Sequence, residues 1–294
     1  MANEEEEQYL DLLRKIMVFG SPKDDRTGNR TLSLFGQQMR FSLENNVVPV
    51  ITTKKLFIRG VIEELLFFIR GETNTKKLEA KGVNIWKGNT SREFLDKRGL
   101  KYLPEGEMGK GYGYQWRKFG QHENDYGDFW CGQGGVDQLS NALHLIKTDP
   151  NSRKIIVSAW NPQQLKEMAL EPCHVLSQYY VDNGKLSCQY YQRSVDSFLG
   201  APFNILSYAI LTKLMAKAAG LQPGELVFSG GDCHVYKNHL KQATEQVTRE
   251  PFPFPKLFID KDISSIEDME KLEFSDFRIE GYECHSAIKA DMAV

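Results

Sequence analysis

The sequence predicts one α+β or mixed α/β domain, and three observations carry the prediction. Two β-like runs, 175–181 and 185–193, flank an Asn183-Gly184 turn signal and read as a hairpin. A long apolar run over 202–219 has the length of a helix and ends on Gly220. No repeat and no low-complexity linker divides the 294 residues, 41% of them hydrophobic, so residues 1–294 read as a single domain with a small irregular subdomain at about 84–135.

Taken in order, the first segment reads as a helix. Leu10, Leu13, Ile16 and Met17 share one face, and Glu4 to Glu7 lie near its start, where the macrodipole favours negative charge. That acidic run reads as a solvated helix start. The helix stops at Gly20-Ser21-Pro22, a polar loop follows over 24–30, and 31–43 is extended with Leu32, Leu34 and Phe35 apolar. Residues 61–69 are too apolar for a surface helix and read as crossing the core, with Glu63 and Glu64 inside them. The 84–135 segment is rich in glycine and aromatics, among them Trp86, Tyr112, Tyr114, Trp116, Phe129 and Trp130. Helical spacing returns at 136–146, and 154–160 is β-like. Residues 225–228 and 257–259 read as short strands, and the prolines at 251, 253 and 255 forbid a helix there.

Lys plus Arg number 37 against 39 Asp plus Glu, a net charge of −2, which does not support RNA binding by bulk charge. No uninterrupted apolar stretch approaches the roughly 18 residues of a membrane span. The acidic start stands where a secretory signal would be basic and then apolar. Cys131, Cys173, Cys188, Cys233 and Cys284 are odd in number and form no Cys-x-x-Cys pair, which argues against a disulfide framework or a zinc ribbon. A reducing compartment is the expectation: the cytoplasm, with nuclear and mitochondrial pools compatible with it.

Glu171-Pro172-Cys173-His174 opens a strand after a loop. A thiol there becomes a nucleophile only where positive charge favours its thiolate, and a lone cysteine is more often a small buried hydrophobe. Arg193 bears on that choice. The Asn183-Gly184 turn pairs Cys173 with Arg193 to within one register step, which brings a permanent cation near the thiol. Arg193 and Ser194 could also grip a phosphate. Arg26, Arg153 and Lys154 read singly as solvated charges and together with Arg193 as a dianion site. Glu64, inside an apolar helix, must be hydrogen-bonded or functional, a salt bridge being the commoner outcome. His234 and Tyr236 alternate on an extended segment and share a face, without a second ligand at metal spacing. Asn204 is either a helix cap or a buried amide that reads a flat heterocycle. Adjacent strand residues point to opposite faces, so His174 is not expected to activate Cys173 as in a Cys-His hydrolase.

Many of these segments occur together and in order: Asp25-Arg26-Thr27-Gly28, Glu63-Glu64-Leu65-Leu66, Ile85-Trp86, Tyr112-Gly113-Tyr114-Gln115-Trp116-Arg117, Ser158-Ala159-Trp160-Asn161-Pro162, Pro172-Cys173-His174, Gln192-Arg193-Ser194, Pro202-Phe203-Asn204, Gly231-Asp232-Cys233-His234-Val235-Tyr236 and Asp291-Met292-Ala293-Val294. From about residue 8 onward the chain resembles the thymidylate synthase family, and most closely its members without a fused dihydrofolate reductase. The resemblance implies a large mixed β-sheet covered by helices, in a homodimer with the sheets packed back to back. It implies reductive methylation of dUMP to dTMP, with 5,10-methylenetetrahydrofolate as carbon and hydride donor, dihydrofolate as product and no metal. By the same resemblance Cys173 adds to carbon 6 of the pyrimidine. Arg26, Arg193, Ser194 and, from the partner subunit, Arg153 and Lys154 hold the phosphate. Asn204 reads uracil, and His234 and Tyr236 hold the deoxyribose. Glu64, Trp86, Asn89, Tyr112 and His174 handle protons. Asp196 binds the folate's pterin between Ile85, Trp86, Leu199 and Phe203, with Val294 closing over it.

There are departures from the family pattern. Lys154 replaces an arginine and loses its planar fork, Ile58 replaces a tryptophan, and Lys87 stands where an acid is common. Gly134-Gly135 adds a residue, and Gln121 to Cys131 match only loosely. Val195 is larger than its usual counterpart and is expected to crowd the pterin pocket. A hydroxymethyltransferase of the same fold is the nearest rival, opposed by Asn204, which disfavours cytosine, and by Trp86, which would shield the intermediate from water.

Overall fold

The computed structural model describes residues 3–24, 28–121 and 134–291. Helix α1 (Glu4–Phe19) begins on Asn3, whose side chain accepts from the Glu6 N–H. It buries Leu10, Leu13 and Ile16 completely, each stabilising by about 1.5–3 kcal/mol. Strands β1 (Ser21–Lys23) and β2 (Thr31–Ser42) follow, then the apolar helix α2 (Ile58–Ile69). Short helices α3 (Lys76–Glu79), α4 (Arg92–Lys97) and α5 (Tyr112–Lys118) lead to α6 (Gln138–Thr148), capped by Asp137. Next come β3 (Ile156–Ser158), β4 (His174–Asp182) and β5 (Lys185–Asp196), then the long buried helix α7 (Gly200–Ala219) and β6 (Gln222–Tyr236). Helix α8 (Leu240–Gln246), β7 (Lys256–Ile259), α9 (Ile266–Glu270) and β8 (Phe277–Glu280) complete the described elements.

The fold is α+β. Six strands form one mixed sheet in the order β1-β2-β6-β5-β4-β3, and β7 pairs with β8 in a two-stranded sheet. Within the large sheet β5 and β6 are parallel and every other pairing is antiparallel. Helix α7 packs on β5 and β6, α1 on β2 and β6, and α2 on α7. The 84–121 stretch adds Trp86, Leu95, Leu100, Met108, Tyr112 and Trp116 to the same hydrophobic core.

Two readings of the sequence need correction. The acidic start of α1 is not all solvated: Glu6 is fully buried and accepts hydrogen bonds from the backbone N–H and hydroxyl of both Thr52 and Thr53. The supposed short strand at 225–228 is part of the first half of the 15-residue β6, which runs on through Gly230 and Gly231. A Cβ on Gly231 would lie 2.7 Å from the Tyr191 hydroxyl and 2.9 Å from the Arg193 carbonyl, so the glycine marks close approach of β5.

The topology collects one end of each central strand in one place. Because β5 and β6 are parallel, their C-terminal ends, Asp196 and Tyr236, lie at the same end of the sheet. The antiparallel partners β4 and β2 bring their N-terminal ends there, with His174 opposite Gln192 and Thr31 opposite Tyr236. Helix α7 also begins there, immediately after β5.

Candidate active site

A cavity of about 750 Å³ opens at this junction, within the upper part of the ~300–1,000 Å³ range of ligand sites. Its wall includes Cys173, Glu64, Tyr112, His174, Arg193, Ser194, Asp196, Asn204, His234 and Tyr236. Ile85, Trp86, Asn89, Leu199 and Phe203 border it as well. Arg153 and Lys154 are exposed just before β3 and do not line it. Arg26 and Val294 lie outside the described residues, as do Cys131, Phe129 and Trp130 and nearly all of the loosely matching segment after Gln121.

Hairpin register delivers Cys173. Along most of β4 and β5 the pairing follows from the two-residue turn, with Asp182 opposite Lys185 and Leu176 opposite Tyr191. An irregularity between His174 and Leu176 shifts the register by one, and His174 then pairs with Gln192. The same shift lets the Arg193 N–H donate to the Cys173 carbonyl at 2.8 Å. The Arg193 side chain completes the clamp: Nε donates to the Pro172 carbonyl at 2.8 Å and Nη2 to the Glu171 carbonyl at 3.1 Å, while the guanidinium lies 5.1 Å above the Trp160 ring centre. From the other side, the Cys173 N–H donates to the Tyr112 hydroxyl at 2.7 Å. The thiol-bearing residue is therefore held on both flanks and is only partly buried.

Strict alternation fails at this point. Cys173 precedes the first residue of β4 and the bulge follows it, so Cys173 and His174 both border the cavity. His174 is buried, stacks on Tyr112 with ring centres 4.0 Å apart, and shares a 3.0 Å hydrogen bond between its Nδ1 and the Tyr208 hydroxyl. Burial pushes its pKa down to about 3, so the imidazole is neutral at pH 7.

The same desolvation shifts Glu64 the other way, because its charged form is an anion. It projects from α2 beside Trp86, whose Nε1 donates to its Oε1 at 2.7 Å. Burial raises its pKa to about 7, and the Trp86 bond offsets only part of that rise. The expected salt bridge belongs instead to its neighbour Glu63, paired with Lys81 at 2.8 Å. Asn89 lies near by in the wall, buried, its Nδ2 without a partner among the described residues.

Asn204 stands one turn into α7. Gln192, which the sequence reading did not single out, donates from Nε2 to Asn204 Oδ1 at 3.0 Å and to the Ser194 carbonyl at 3.1 Å. This bond orients the Asn204 amide, and the signal for it was available: Gln192 shares the period of Ser194 and Asp196 along β5. Asp196 Oδ1 accepts from the Phe198 and Leu199 N–H groups, which shapes the turn into α7. Val195 is fully buried and is not part of the wall, so the expected crowding of the cavity does not occur; it alternates with Ser194 and Asp196, which do face the cavity. His234 and Tyr236 sit edge to face, 5.2 Å between ring centres, at the end of β6. Asp232, also missed, accepts from Ser33 at 2.6 Å and lies 3.2 Å from His234 Nδ1. Among the described residues no cluster of three or more His, Cys, Asp or Glu could hold a metal ion, and no helix is long and apolar enough to cross a membrane.

A family model described as thymidylate synthase matches residues 7–294. The chain is 51% identical over 287 residues to a thymidylate synthase of Homo sapiens, covering 98% of this chain and 90% of the relative. It is 49% identical over 302 residues to one of Saccharomyces cerevisiae, covering 99% and 98%. A bifunctional dihydrofolate reductase-thymidylate synthase of Zea mays is 51% identical over 290 residues, covering 99% of this chain and 55% of the relative, so the chain spans about half the length of the bifunctional proteins it matches. Agreement of this extent, along nearly every residue, means that the chain belongs to the thymidylate synthase family.

Proposed function

We propose that the chain methylates dUMP reductively to dTMP, with 5,10-methylenetetrahydrofolate as donor of both the carbon and the hydride and dihydrofolate as co-product. The observation that carries this reading is the clamped Cys173 at a cavity that also holds a Gln192-oriented amide, Asn204. An amide can donate to uracil O4 and accept from N3–H, whereas cytosine needs the reverse pattern.

In this reading the Cys173 thiolate adds to carbon 6 of the pyrimidine, forming a C–S bond and moving the ring electrons onto carbon 5 and O4. Carbon 5 becomes nucleophilic and takes the one-carbon unit that the folate supplies. Loss of the carbon 5 proton then breaks the bond between the one-carbon unit and the folate nitrogen, leaving an exocyclic methylene on the still Cys173-bound ring, and hydride transfer from the released tetrahydrofolate to that methylene expels the thiolate, giving dTMP and dihydrofolate. Glu64, tuned near neutrality, and the neutral His174 serve this proton traffic with Tyr112, Trp86 and Asn89. Arg193 and Ser194 hold the phosphate with Arg26, and His234 and Tyr236 hold the deoxyribose. The second carboxylate oxygen of Asp196 accepts from the pterin, against Ile85, Trp86, Leu199 and Phe203, and Val294 closes over it.

Arg153 and Lys154, exposed beside the edge strand β3, reach the phosphate of a partner subunit in a homodimer built with the sheets back to back. Exposed Phe35, Tyr180 and Tyr191 on the large sheet support such a dimer. The chain acts as one domain, and Cys188, Cys233 and Cys284, none of them in a disulfide among the described residues, suit a reducing cytoplasm.

Incubation with 5-fluoro-dUMP and methylenetetrahydrofolate tests the reading. Fluorine cannot leave carbon 5 as a proton does, so mass spectrometry should find a stable ternary adduct on a peptide containing Cys173. No adduct, or one mapping to another cysteine, would overturn the assignment. Formation of dihydrofolate with dUMP separates the synthase from a hydroxymethyltransferase, which leaves the folate unoxidised.

A further inference from the structure

Tyr208 belongs to none of the groups given a role so far, yet it touches the cavity's histidine. It lies one turn after Asn204 on α7, so both residues occupy the same face of the helix, Asn204 at the wall and Tyr208 deeper. Tyr208 is 2% exposed. Its ring stacks on Tyr190 with centres 4.1 Å apart and planes within 7°, and meets His174 edge to face at 5.3 Å. These contacts hold the hydroxyl 3.0 Å from His174 Nδ1.

A neutral imidazole carries one proton, and its partner decides which nitrogen bears it. If Nδ1 carried the proton and donated to Tyr208, the phenolic hydrogen would be left without an acceptor among the described residues, which costs about 1–3 kcal/mol. If Tyr208 donates, its hydrogen and the Nδ1 lone pair are both satisfied. Burial holds the Tyr208 phenol far above its ordinary pKa, so the hydrogen is present at every working pH.

We propose that Tyr208 is a positioning residue that donates to His174 Nδ1 and thereby locks the imidazole as the Nε2–H tautomer, a hydrogen-bond donor at the substrate cavity. The face of the same imidazole is held against Tyr112, whose hydroxyl receives the Cys173 N–H, so the helix that carries Asn204 also sets the donor pattern around the nucleophile. That His174 serves the reaction rests on the function proposed above; the tautomer itself does not.

The test uses the full chain labelled with ¹⁵N in histidine and needs no substrate for its first half. Long-range ¹H–¹⁵N spectra at pH 7 should show His174 protonated at Nε2 with Nδ1 bare. Tyr208→Phe keeps the stacked ring and removes only the donor. It should leave a mixed or reversed tautomer and lower kcat about tenfold or more, with KM for dUMP changed less than about twofold. A wild-type ring protonated at Nδ1, or a variant that retains the wild-type tautomer or the wild-type kcat, overturns the proposal. If Tyr208→Phe fails to fold, the wild-type spectrum still decides the tautomer. Absence of turnover in the wild type would count against the proposed function while leaving the tautomer result standing.

Discussion

Glu6 and Glu64 are carboxylates on apolar helix faces, and the protein treats them in opposite ways. Glu6, on α1, is fully buried and meets four donors from Thr52 and Thr53, while Thr53 also receives the Gln246 side chain. Burial raises its pKa and those donors pull it part of the way back. Glu64, on α2, meets one donor among the described residues, Trp86, and borders the cavity. A carboxylate with its lone pairs filled is a fixed joint between elements. One left short of donors beside a cavity sits near its titration midpoint and can exchange a proton. The number of donors, more than burial, separates the structural acid from the chemical one.

The sharpest way to break this comparison is Glu64→Gln. It should lower kcat by about a hundredfold or more, since proton transfer by a positioned acid or base is worth that much. Steady-state kinetics at pH 7 would show it, and a near-normal kcat would end the contrast. Glu6→Gln should do the reverse. It replaces an acceptor of four hydrogen bonds by an amide that cannot accept them all, and should cost about 2–4 kcal/mol in denaturant unfolding. Turnover per folded molecule should stay unchanged.

Next in size is a pH effect. The Glu64 pKa rises from 4.5 to about 7 on folding. The protonated carboxyl is the form the fold prefers, so its contribution to stability is complete below about pH 4.5 and is lost as pH rises through about 7. Glu64→Gln should therefore match the wild type near pH 4.5 and exceed it at pH 8, by at most about 3 kcal/mol because the cavity admits water. Equal Tm differences at the two pH values would contradict this. The smallest effect is Trp86→Phe. It removes the Trp86 donor to Glu64 and should raise the carboxyl pKa by about one further unit, moving the corresponding limb of the kcat–pH profile upward.

Much of the site was legible in the chain. The Asn183-Gly184 turn alone brought Cys173 and Arg193 within one residue of each other, because hairpin pairing follows from turn length. What it could not disclose was the bulge after His174, which removes the last register step and spoils the alternation expected to part His174 from Cys173. The long strand β6 was underestimated: 225–228 read as a short strand, whereas in the sheet the strand runs on through Gly230 and Gly231, which admit close neighbours. Gln192 and Tyr208 were passed over since their parts depend on residues 12 and 34 positions away, Asn204 and His174.

Local spacing determined helices α1, α2, α6 and α7, the hairpin and the order of the reactive groups, because turn chemistry and apolar periodicity act between near neighbours in the chain, whereas the short helices α3, α4, α5, α8 and α9 carried no such signal. Tertiary structure alone decided the state of each group: which glutamate is saturated with donors, which imidazole stays neutral, and how an amide faces the cavity. Those properties depend on solvent exclusion and on donors brought in from distant segments, and neither is encoded within a short stretch of sequence.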